Sequence, residues 1–154
     1  MNFNAIAIKA RSPALAVALL GYTVAAQTCN YLPVKPGSGK FNTGEVTVDL
    51  GQADDPTHPG AWQGPIIITQ ADGASCTVAP EGGIVEQPIY HDGRHFLVTT
   101  YSGSNRVVYA IDAKSCRVLW HSHPFAGEAR LHGNDLQIGK DAVTLDAECV
   151  PDSK

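Results

Sequence analysis

Beyond its first two dozen residues the chain lacks any sustained 3.6-residue apolar period. Without such a stripe a helix has no face to bury, so an all-β protein is expected. There is no Cys-x-x-Cys pair, which argues against zinc-ribbon and thioredoxin-type sites. No Gly-x-Ser-x-Gly elbow presents a serine nucleophile, and the serines fall mostly in turns. Gly82-Gly83 leads into a strand rather than a helix, so it is not a phosphate cradle. Asp54, Asp55 and the acids near them lack the spacing of an EF-hand calcium loop. No apolar run reaches the roughly 20 residues of a membrane span. Basic residues are short as well, 11 against 15 acids, which disfavours nucleic acid and anionic membrane surfaces.

What is present begins with an export signature. Met1–Arg11 carries Lys9 and Arg11 and no acid, an apolar run follows from Pro13 into Val24, and Val24-Ala25-Ala26 precedes Gln27. This reads as a signal peptide over 1–26, cleaved after Ala26, with 27–154 as a single exported domain. Gln27-Thr28 separates the small residues from Cys29, which argues against a lipoprotein. Removing Lys9 and Arg11 leaves nine basic residues against fifteen acids, a net charge of −6. Such a charge favours a basic partner, steered in by the long-range field. Cys29, Cys76, Cys116 and Cys149 imply two disulfides in an oxidising compartment. An even count argues against a free thiol nucleophile.

The organising stretch runs from Thr100 to His123. Arg106–Asp112 and Arg117–His121 read as strands joined by a turn over Ala113–Cys116. On the first, Val107, Tyr109 and Ile111 alternate with Val108, Ala110 and Asp112, so both faces are largely apolar and the strand belongs in the middle of the fold. The preceding Ser102–Asn105 supplies turn residues and must reach solvent. Glu45–Leu50 alternates as a half-buried strand. Gly51–Pro65 reads as a long loop, solvated or forming a second contact surface, with Trp62 pinning it to the core. Ile66–Gln70 and Cys76–Ala79 are strands around a turn at Ala71–Ser75. Ile84–Tyr90 is a strand whose Pro88 marks an edge or a bulge. Asp92-Gly93 predicts a type I′ hairpin turn into His95–Tyr101. Pro124–Asn134 reads as looser, before a hairpin of Leu136–Ile138 with Ala142–Leu145.

The chain also repeats itself. Ile66–Val78 matches Arg106–Val118 at an offset of 40, aligning Asp72 with Asp112, Ser75 with Ser115 and Cys76 with Cys116. Val143–Cys149 is a weaker third copy. That period suits propeller blades, but about three units fit, fewer than closed propellers use. The fold expected is therefore a small propeller-like or sandwich-like antiparallel meander, stapled at the repeat turns. Four cysteines allow three pairings, and the reading adopted is Cys29–Cys76 with Cys116–Cys149.

Three functional readings follow. His121 and His123 share a strand face as two metal ligands of a hydrolase would, but a third ligand, from His91 or His95, would have to come from elsewhere in the fold. A small-ligand or envelope-binding module would gather Trp62, Trp120 and Tyr109 into a concave pocket. The third reading rests on the Ser102–Asn105 tip. Small hydroxylated residues on a rigid hairpin enter a narrow cleft with little entropy lost, and Gly103 permits close backbone approach.

At these residues the chain resembles a known family. Gly82–Leu119, with Gly-Gly-Ile at Gly82–Ile84, the Asp92-Gly93-Arg94 turn, Ser102-Gly103-Ser104 and Cys116 after an Asp-containing turn, resembles the periplasmic immunity proteins of type VI secretion peptidoglycan-amidase effectors. The resemblance implies a β-rich inhibitor, not an enzyme, with no cofactor. Its partner would be a secreted amidase similar to NlpC/P60 cysteine peptidases, whose cleft receives the Ser-Gly-Ser loop. Carried over, Ser104 would hydrogen-bond the partner's catalytic residues while Ser102 and Gly103 shape the loop. The family's pattern continues with another serine where this chain has Asn105. Tyr101, Arg106, Asp54 and Asp55 are the neighbouring residues expected to add contacts.

Overall fold

The computed structural model describes residues 28–81 and 83–152, so the export signature, its cleavage point and Gly82 lie outside the described residues. Among the described residues fourteen strands, paired antiparallel throughout, form three sheets. In chain order they begin with β1 (Leu32–Val34), β2 (Lys40–Asn42), β3 (Val46–Asp49), β4 (Gln52–Ala53), β5 (Ala61–Gln63), β6 (Ile66–Gln70) and β7 (Ser75–Val78). They continue with β8 (Ile84–His91), β9 (His95–Ser102), β10 (Asn105–Asp112), β11 (Val118–His121), β12 (Ala129–His132), β13 (Asp135–Ile138) and β14 (Asp141–Thr144). No helix occurs among the described residues, and no sheet among them closes.

The central sheet runs β11-β10-β9-β8-β5-β4. Its core strands are covered on both faces, as their apolar alternation predicts. One face of β9 and β10 (Phe96, Val98, Tyr109, Ile111) packs against Val46, Val48, Ile66 and Ile68 of the sheet β2-β3-β6-β7 and against Leu50 just after β3. The opposite face (Leu97, Val108, Ala110) packs against Ala129, Leu136 and Ile138 of the sheet β12-β13-β14. Three stacked layers thus enclose two apolar seams.

Pro88 interrupts β8 as its sequence predicts. The β8–β9 register shifts between Glu86 and Ile89, and the other side of β8 is shared, β5 pairing with Ile84–Glu86 and β1 with Ile89–His91. The absent proline N–H thus falls between two partners rather than inside a ladder. The β8–β9 hairpin turns at Asp92–Arg94, but only Gly93 takes a positive φ, so the turn is not type I′. Asp92 determines it instead, its Oδ1 accepting from the backbone N–H groups of Arg94 and His95.

Two segments read as loops contain strands. Gly51–Pro65 folds into the β4–β5 hairpin, and Pro124–Asn134 holds β12. Trp62 pins the first as expected. It is fully buried, and its Nε1 donates to the Gly37 carbonyl at 3.3 Å. Gly39 makes room for it. At φ +111°, a Cβ there would sit 2.6 Å from the Gly51 carbonyl oxygen and 3.0 Å from the indole.

Neither adopted disulfide forms. Cys29 bonds Cys149, and Cys76 bonds Cys116. The two main repeat copies lie in different sheets that face each other, β6–β7 and β10–β11, rather than each closing on its own staple. Gln70 Nε2 donates to the Ala113 carbonyl at 2.8 Å, which lays one repeat turn on the other and brings Cys76 within 5.8 Å of Cys116, Cα to Cα. Their separation of 40 residues equals the repeat offset, so the bond joins equivalent positions. Cys29 instead packs with Leu145 and Cys149 in a third apolar cluster. The repeated aspartate has one job throughout. Oδ1 of Asp72, Asp112 and Asp146 each accepts from backbone N–H groups of its own turn, and Cys116 and Cys149 follow in the left-handed region. Gln70→Ala is expected to cost about 1 kcal/mol, the net worth of one part-buried hydrogen bond, read as a lower urea midpoint.

Candidate functional site

β9 and β10 pair without interruption from His95↔Asp112 to Ser102↔Asn105. The hairpin therefore closes over Gly103-Ser104 alone. Gly103 has φ +62° and Ser104 is not in the positive-φ region, the sense of a type II′ turn, which matches the twist of the flanking strands. Ser102, Gly103, Ser104 and Asn105 are all exposed, whereas Thr100 is buried and Tyr101 and Arg106 are half-buried. A Cβ at Gly103 would meet nothing within 4 Å. The tip stands clear of its own protein.

Its root is braced on both sides. Arg106 pairs with Tyr101 across the hairpin, and on the other edge it exchanges backbone hydrogen bonds with Phe125, N to O at 2.9 Å and 3.0 Å. The Arg106 guanidinium is engaged with Glu86 through Nε to Oε1 and through Nη2 to Oε2 at 3.3 Å. Thr100 Oγ1 donates to the Glu81 carbonyl at 3.2 Å. A hairpin anchored in this way presents its tip with little conformational freedom to lose on docking.

Of the neighbouring residues, Tyr101 and Asp54 line one hollow beside the hairpin. Arg106 turns to Glu86 and is already paired. Asp54 and Asp55 are exposed and shape the β4–β5 loop from within. Asp54 Oδ1 accepts from the N–H groups of Asp55, Gly60 and Ala61 at 2.8–3.1 Å, and Asp55 Oδ1 accepts from Thr57 and His58. Those bonds favour the ionised form. The Ala61 and Gly60 amides hold Asp54, and the Thr57 and His58 amides hold Asp55, below the usual carboxylate range. A depressed folded value means that the loop's order is complete above the ordinary carboxylate pKa. It is lost as pH falls through the lowered value, so the loop is expected to survive mild acid. Amide exchange at Gly60 and Ala61, followed down a pH series, reads this directly.

The other candidate residues do not converge. His91 stacks on Phe96 with ring centroids 4.3 Å apart. His95 is buried against Asp92, Nδ1 to Oδ2 at 3.2 Å. His121 and His123 border a separate hollow at the β11 edge. No three His, Cys, Asp or Glu side chains among the described residues are grouped to hold a metal ion. Trp62 and Tyr109 are buried in one seam, and Trp120 borders the other. A three-sided aromatic pocket is therefore not formed.

No family model matches the chain, and no curated protein matches it. The site thus stands on its geometry. Glu81, Glu86, Pro124 and Phe125 surround or brace the tip and went unread in the sequence. Only Pro124 and Phe125 carried a signal, a bulky pair inside a segment otherwise rich in small and polar residues.

Proposed function

We propose that this chain is an exported inhibitor, an immunity protein that blocks a peptidoglycan amidase similar to NlpC/P60 cysteine peptidases by inserting the Ser102–Asn105 tip into its cleft. One observation carries the reading: a four-residue tip of small polar side chains is wholly exposed on a hairpin whose root is bonded on both edges. A tip of that width enters a narrow groove, and the Ser102 and Ser104 hydroxyls both donate and accept hydrogen bonds. Ser104 would engage the catalytic pair, and occupancy alone would exclude substrate. The chain contributes no chemistry of its own and needs no cofactor.

The compartment fits. Two disulfides suit an oxidising, exported environment, and no described helix is long and apolar enough to cross a membrane. The periplasm, with cleavage after Ala26, is where an amidase acting on the cell's own wall would have to be met. The interface would be of roughly standard size, about 1,600 Å² in total. The test is co-purification with the product of the adjacent reading frame, followed by a wall-digestion assay with that product. Stoichiometric suppression of digestion supports the reading, and undiminished digestion at equimolar inhibitor refutes it.

A further inference from the structure

His91 stands at one end of the first apolar seam. It is the last residue of β8, and it pairs with Leu32 of β1 on one edge and with Phe96 of β9 on the other. Its ring stacks on Phe96 with 4.3 Å between centroids and 24° between planes, and Phe41 of the facing sheet meets Phe96 edge-on at 6.1 Å. These rings close the seam at the end of β9 opposite the tip. The His91 Nε2 is shut off from solvent and has no hydrogen-bond partner, the one buried side-chain nitrogen or oxygen so placed among the described residues. Buried polar atoms are nearly always paired, so this one sets His91 apart.

The enclosed nitrogen suits one protonation state only. A neutral ring can carry its proton on Nδ1 and leave Nε2 a bare lone pair, whereas the imidazolium has an N–H at both positions. The charged ring would enclose an N–H donor without an acceptor, and part of a positive charge with it, which costs far more than an idle lone pair. The charged groups around His91 do not reverse this. Asp92 in the turn and Glu45 ahead of β3 favour the cation, and His95 on β9 opposes it. Asp92 is already engaged, Oδ1 with the N–H groups of Arg94 and His95 and Oδ2 with the His95 ring. Glu45 is exposed, where water and salt screen it. β1 carries no titratable side chain. Burial prevails and holds His91 below the ordinary histidine value.

We infer that His91 is an acid-sensitive clasp: neutral, its ring closes this end of the seam and holds β8 between β1 and β9, and protonated it releases that end while the middle of the three layers stays folded. The inference is independent of the inhibitor reading, because the tip lies at the other end of β9. A folded value below the unfolded one means that the ring's contribution is complete above the ordinary histidine value of 6.5. It is lost as pH falls through the window beneath that value. Asp54, Asp55 and Asp112, held below the carboxylate value of 3.8, titrate outside this window.

The test follows the His91 ring by NMR through a pH titration of the whole protein. Amide exchange, corrected for its intrinsic rate, is measured beside it at about pH 7.5 and about pH 5, on either side of the window. The ring is expected to titrate below 6.5. The Leu32 and His91 amides should exchange at least about threefold faster at the lower pH, while Val98 and Ala110 in the middle of the sheet do not change. His91→Phe keeps a ring on Phe96 and takes no proton, so its Leu32 amide should exchange alike at both pH values. A ring that titrates at or above 6.5, a parent whose Leu32 and His91 exchange is indifferent to pH, or a folded His91→Phe that keeps the parent's dependence would each overturn the inference. Should His91→Phe not fold, the ring titration and the parent's exchange decide between the same two outcomes.

Discussion

Ser104→Trp is expected to fold as the parent does and to lose inhibition of the proposed amidase partner by at least about a hundredfold, close to 2.7 kcal/mol of binding. The fold should be indifferent because Ser104 is exposed and outside the positive-φ region. An exposed substitution of that kind moves stability by about 0.5 kcal/mol or less. The cleft should not be indifferent, since an indole needs several times the width of a hydroxymethyl group. Gly103→Arg tests the same contact with a known side effect. Its Cβ would meet nothing within 4 Å, but at φ +62° a non-glycine residue is strained, at a cost of roughly 1–2 kcal/mol. Gly103→Arg should therefore melt earlier than the parent while Ser104→Trp does not, and both should fail to inhibit. Thermal unfolding beside an inhibition titration separates the two effects. Undiminished inhibition by both variants would remove the tip from the mechanism.

Loss of the disulfides should cost more stability than any single core substitution. The bonds close loops of 120 and 40 residues, which the chain-entropy model rates at roughly 5 and roughly 4 kcal/mol. The smaller loop lies inside the larger, so the joint effect falls somewhat below the sum. Against a typical total of about 5–15 kcal/mol, removing both leaves little or nothing. Cys76→Ser/Cys116→Ser is expected to retain a cooperative but destabilised fold, and the variant with all four cysteines replaced to be largely unfolded without denaturant. Urea titration measures both. A four-serine variant with the parent's midpoint would show that the apolar seams suffice alone.

How much of this was legible in the sequence follows from where each signal resides. The double-sided apolar alternation of Arg106–Asp112 placed β10 in the middle layer, because that pattern depends only on the strand itself. Pro88 announced its bulge for the same reason, since a missing N–H is a local fact. The β4–β5 hairpin was hidden by Pro56, Pro59 and the polar Gln52 and Gln63, which read as loop although two short strands pair there. The disulfides were misread because their pairing depends on which sheets face each other, and no local pattern encodes that. At the site, the tip is contiguous and could be read directly. Glu81, Glu86 and Phe125 reach it from separate strands and connections, through register shifts that only the folded chain shows.

The nesting of one disulfide loop inside the other bears on how such a chain is oxidised. Exported N-terminus first, as proposed, it would expose Cys29 and then Cys76 to an oxidant before either final partner had emerged. Sequential oxidation would join those two, a bond absent from the finished molecule. Cells producing this protein would then depend on a thiol–disulfide isomerase to exchange that early linkage for the native pair, and without one its yield should fall more sharply than that of secreted proteins whose cysteines pair in consecutive order.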